Sequence, residues 1–151
     1  METSVSGINQ EAVRQAIAIM QRAVDREAPF NMQSWQAVPV GAPDTDVCKT
    51  EFEAHQCGMV ACFGGWVALS PEWQAIGGTI DGTGGPLLQR GDDVLFGAEA
   101  IAEWLGIETW RAELITCTGF SFLSTCDMFK GKALYQITAQ DLIDVLQTLL
   151  K

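Results

Sequence analysis

From Gly58 to Leu69 the chain reads GMVACFGGWVAL, with no charged or strongly polar side chain in the stretch. A helix that is apolar all round has no face to offer water, so it belongs in the middle of a packed domain. The run is too short to cross a bilayer, which takes about 20 apolar residues. Gly64 and Gly65 each cost a helix about 1 kcal/mol relative to alanine, and close approach by a neighbouring segment is the compensation that explains them. The rest of the chain must therefore supply amphipathic elements to wrap a central helix.

Several segments meet that need. Gln10 to Glu27 sets Val13, Ala16, Ile17, Met20 and Val24 at helical spacing, with Arg14, Gln21, Arg22 and Asp25 facing outward, and Pro29 stops it. Phe30, Met32 and Trp35 of FNMQSW anchor a turn, and residues 37–50 read as an irregular loop. Ser70 and Pro71 restart a helix as N-cap and first helical residue. Gly77 to Gly97 contains seven glycines and reads as a loop with room for a small β-hairpin around TIDGTGGPLLQ.

Two short helices follow. AEAIAEWLG places Ile101, Trp104 and Leu105 on one face and stops at Gly106, and ETWRAELIT comes after a tight turn. The last helix runs from Thr138 to Leu150, with Thr138 as cap, Asp141 at the third position and Leu142, Val145, Leu146 and Leu149 as its buried stripe. The expected fold is mainly α: one compact domain over residues 1–151, a flexible leader at 1–9, five or six short helices and little sheet.

Charge narrows the function classes. Net charge is −10, from 9 basic against 19 acidic residues. Direct nucleic-acid binding needs clustered Lys and Arg, and anionic membranes need the same, so neither is expected as a partner. A negatively charged face suits a basic protein partner instead. The start of the chain, METSVSGINQEAVRQ, lacks a basic region followed by an apolar one, and a cytoplasmic protein is expected. Cysteines at 48, 57, 62, 117 and 126 form an odd set without a regular framework, which favours reduced thiols.

The stretch CGMVACFGGW, Cys57 to Trp66, admits three readings. Cys48, His55, Cys57 and Cys62 are ligand types that zinc accepts, but they form no C-x-x-C knuckle. If both were helical, Cys57 and Cys62 would lie about 140° apart. A thiol enzyme built on Cys57 would have to use His55, the single histidine, and no oxyanion donor or acidic partner for the pair can be identified. The third reading is structural and is preferred: Cys57 and Cys62 are small, tightly fitting residues where a buried helix begins. No cofactor is expected, because GTGG lacks the Lys-Ser/Thr of a phosphate loop.

Trp35, Trp66, Trp73, Trp104 and Trp110 are assigned to core and interface packing. Phe120 and Phe122, in the loop GFSFL, are candidates for an exposed partner-binding surface, together with Glu99, Glu103 and Glu113.

FNMQSW, CGMVACFGGW and WLGIETWRAELI occur in an order and spacing that resemble a group of small uncharacterised phage and prophage proteins. Their pattern is F-D/N-M-x-x-W, then C-G-T-x-x-C-I-A-G-W, then L-G-L-T-x-x-x-A. Cys57, Gly58, Cys62, Gly65 and Trp66 match the central motif, and Leu105, Gly106 and Ala112 match the third. Met59 stands where threonine is usual, and Phe63 and Gly64 replace Ile-Ala. The resemblance implies a phage accessory protein acting in the bacterial host cytoplasm and carries no activity with it. With the charge, it leads to the expectation of a non-enzymatic binder of a host protein, most concretely an inhibitor of a nucleic-acid-targeting defence system.

Overall fold

The structure, a computed structural model, describes residues 8–26, 50–51, 61–81, 84–116 and 137–150. Helix α1 spans Gln10–Asp25 and begins at Asn9, whose side chain accepts a hydrogen bond from the Ala12 N–H. α2 covers Phe63–Leu69 and α3 Pro71–Ala75. Three strands follow, β1 (Gly78–Ile80), β2 (Pro86–Arg90) and β3 (Asp93–Phe96). The chain then forms α4 (Gly97–Leu105), α5 (Thr109–Ile115) and α6 (Ala139–Gln147).

The expectation of a mainly α bundle, with at most a small hairpin in residues 77–97, is overturned. β1, β2 and β3 form one antiparallel sheet in that order, so the domain is mixed α/β rather than a helical bundle. The glycines of residues 77–97 do not dissolve the segment into loop; they sit at its corners. Gly77 takes positive φ just before β1, Gly84 and Gly91 take it between the strands, and Gly97 takes it where β3 passes directly into α4. Leu88 of β2 is fully buried and pairs with Leu95 of β3, which puts one face of the sheet on the core.

α2 is central, as an all-apolar helix must be. It packs against α1, α3, α4, β1 and β2, and all seven of its residues are buried. It starts later than its sequence suggests, at Phe63 with Cys62 as N-cap. Cys62 itself is fully buried, while Cys57 lies outside the described residues. Replacing Gly65 by alanine opposes two effects. Helix propensity alone favours alanine by about 1 kcal/mol. Inside this surrounded helix the added methyl is expected to reverse that sign and lower the melting temperature; a raised one would show open space beside Gly65.

The caps behave as their residues dictate. The Ser70 hydroxyl accepts from the Trp73 N–H, with Pro71 leading α3. At α6 the Thr138 hydroxyl accepts from the Asp141 N–H while the Asp141 carboxylate accepts from the Thr138 N–H, a reciprocal capping box. α6 lies along α1, and Gln10 Nε2 donates to the Leu149 carbonyl at 3.2 Å.

Arg22 departs from its expected outward position. Its guanidinium uses one edge on Glu51, with Nε and Nη2 at 2.8 and 2.9 Å, and another on Glu72, with Nη1 and Nη2 at 2.8 and 2.7 Å. Two bidentate carboxylates on one planar fork join the last turn of α1 to the first turn of α3 and to residue 51. Hydrogen bonding to Arg22, against a smaller opposing effect of burial, holds the Glu72 carboxyl below its ordinary range.

Candidate functional site

The face built by β3, α4 and α5 is the candidate site, and its shape follows from two glycine corners. Gly97, at φ +57°, turns β3 into α4 without an intervening loop. Gly106, in the left-handed region at φ +73°, ends α4; its N–H and that of Ile107 both donate to the Ala102 carbonyl, at 2.8 and 3.1 Å. The chain then reverses into α5, leaving Ile107 at the corner.

Two open grooves meet there. The first, about 610 Å³, is lined by Leu95, Glu99, Ala102, Glu103, Ile107 and Thr109, among others. The second, about 530 Å³ and mostly apolar, includes Ile107, Trp110, Arg111, Ile115, Val145 and Leu149. Ile107 belongs to both. Trp110 stands 56% exposed at the second groove, with the Arg111 guanidinium 5.6 Å from its ring centroid. Across β3, Val94 and Phe96 are 41% and 51% exposed.

Glu99 and Glu103 are one helical turn apart on the exposed face of α4 and line the same groove. Like charges at this spacing cost a helix roughly 0.2–0.5 kcal/mol. Arg90 of β2 offsets part of that at Glu103, 3.5 Å away with both side chains half-exposed. Glu99 has no ion-pair partner among the described residues. Glu113 is exposed on α5, one turn beyond Trp110, but lines neither groove. Phe120 and Phe122 lie outside the described residues.

The zinc candidates Cys48, His55 and Cys57 also lie outside them, and Cys62 is buried at the start of α2. Among the described residues no group of three His, Cys, Asp or Glu side chains is placed to hold a metal ion. The tryptophans divide by role: Trp66, Trp73 and Trp104 are buried and Trp110 is not, while Trp35 lies outside the described residues. No helix among the described residues is long and apolar enough to cross a membrane.

Of the glutamates named from the sequence, Glu99 and Glu103 line the first groove, and what surrounds them was missed. Val94, Phe96 and Arg90 were hidden by the reading of residues 77–97 as loop. The signal was present: Gly91-Asp92 between LLQR and DVLF is a two-residue turn flanked by short apolar runs. Chemically the face offers carboxylates that can accept a cationic side chain, set beside exposed aromatic and aliphatic groups. No protein-family model, curated protein or solved structure matches the chain.

Proposed function

We propose that this protein acts by binding: a non-enzymatic, acidic accessory protein of phage or prophage origin that docks on a basic surface of a host protein in the bacterial cytoplasm. An inhibitor of a nucleic-acid-targeting defence system is its most concrete form, since such systems present basic surfaces that an array of carboxylates can occupy. The observation that carries the reading is the pairing of Glu99 and Glu103 in one groove, with exposed Phe96 and Trp110 nearby on the same stretch of chain. A charged rim beside exposed aromatics is the usual composition of a protein-binding patch. The phage resemblance makes a host protein the partner class.

The test is capture of a host protein from bacterial lysate by the tagged protein across a salt series. Exposed charges are screened beyond about 8 Å at physiological ionic strength, so capture is expected to fall steeply as salt rises. Reversing both charges, Glu99→Lys with Glu103→Lys, is expected to slow association about tenfold or more, since electrostatic steering acts chiefly on the on-rate. A captured partner indifferent to salt and to both reversals sinks the proposal.

A further inference from the structure

β3 pairs with β2 on one side and is the last strand of the sheet. Gly91, at φ +60°, and Asp92 form the two-residue turn between them, so Arg90 and Asp93 exchange the backbone hydrogen bonds nearest the turn. Along the register Leu88 and Leu95 exchange the next set. Val94 and Phe96 therefore turn their backbone groups away from β2, toward the open edge. Among the described residues nothing hydrogen-bonds to Val94 or to the Phe96 N–H at that edge. The two side chains of this edge share the outer face of the sheet and are both exposed. Leu95, on the opposite face, lines the groove that holds Glu99 and Glu103.

A strand edge left unpaired among the described residues, with an exposed apolar row on one face and an acidic groove on the other, is selective for one kind of occupant. We infer that β3 accepts an extended, basic segment of the partner as a fourth strand. The inference rests on the docking reading above and names the element that docks. Successive side chains of an added strand point to opposite faces. One set, Lys or Arg, lies beside Leu95 and reaches Glu99 and Glu103. The other set, apolar, lies beside Val94 and Phe96. A second copy of this chain fits the edge less well, because it would bring Asp92, Asp93, Glu99 and Glu103 of two chains, each of net charge −10, along one seam.

The test uses a fluorescent, end-capped octapeptide alternating Lys and Val, its Glu–Val counterpart, and the Lys–Val peptide N-methylated at alternate residues. Binding of each to the full chain is read by anisotropy, alongside the lysate capture. The Lys–Val peptide is expected to bind and the other two are not. Val94→Pro removes an outward N–H that the ladder to β2 does not use, and Glu99→Lys reverses the groove charge; each is expected to weaken binding about tenfold or more. Circular dichroism establishes that Val94→Pro is folded, and if it is not, the N-methylated peptide decides the point on the unaltered chain. Equal binding of the N-methylated peptide overturns strand addition, and equal binding of the Glu–Val peptide overturns selection for basic segments. Self-association abolished by Val94→Pro, with no peptide bound, overturns the inference in favour of a second copy. Host capture unaffected by excess Lys–Val peptide overturns it while leaving the docking reading standing. Peptide binding without salt-sensitive host capture supports the edge and overturns the broader reading.

Discussion

Gly78→Ala is expected to destabilise the fold by about 3 kcal/mol or more, at the upper end of what overpacking a core costs. A Cβ built on Gly78 runs into the indole of Trp73, at its Nε1, Cε2 and Cδ1 atoms. The ring has little freedom to yield. Trp73 is fully buried, its Nε1 donates to the Thr79 carbonyl at 3.0 Å, and it meets Trp104 edge-on at 5.5 Å. The expected loss in melting temperature is roughly 6–12 °C for a domain of this size. Gly91→Ala separates the causes. An added Cβ there meets nothing within 4 Å, but φ is +60°, so only backbone strain remains, about 1–2 kcal/mol. The clash account also predicts coupling: in a Trp73→Leu background, Gly78→Ala should cost much less than it does alone. Equal costs in the two backgrounds would falsify it.

Arg22→Met carries the second large effect. Removing the guanidinium leaves Glu51 and Glu72, side chains only 12% and 20% exposed, facing each other without their shared cation. Breaking a buried pair costs about 3–5 kcal/mol. Arg22 is 32% exposed, so solvent screening reduces the expected figure to about 2–3 kcal/mol. Arg22→Lys should recover less than half, since an ammonium cannot present two bidentate edges.

The pH dependence has a defined sign. Arg22 lowers the folded-state pKa of Glu72, so the stability it confers is fully present above the unfolded carboxylate range. It is lost as pH falls through the lowered folded value. The difference between the parent and Arg22→Met should therefore be greatest near neutrality and shrink below about pH 4. Denaturant titrations at several pH values measure it, and a gap that widens in acid would contradict the assignment.

The same two predictions mark where the sequence was readable. Local signals translated directly: Ser70-Pro71, Thr138 with Asp141, and Gly106 each act within three or four residues of where they stand. Arg22 does not. A helical wheel sends it outward, and its partners lie 29 and 50 residues away, a fact of tertiary structure. The sheet was obscured for a different reason. Strands of three to five residues show too little alternation to outweigh seven glycines, although the glycines mark the ends of strands. The candidate site divides along the same line: Glu99 and Glu103 follow from helical spacing, whereas the edge formed by Val94 and Phe96 requires the sheet.

The pairing of α1 with α6 also sets an order of events during synthesis. Gln10 and Leu149 are joined across 139 residues, so among the described residues the first helix packs on the last. Contacts of such separation carry a large loop-closure cost and slow folding. On the ribosome α1 emerges long before its partner, and at about 5–20 residues per second the wait lasts for seconds or more. A nascent chain stalled before Ala139 has α1 without the helix that covers it, a natural substrate for chaperones and proteases.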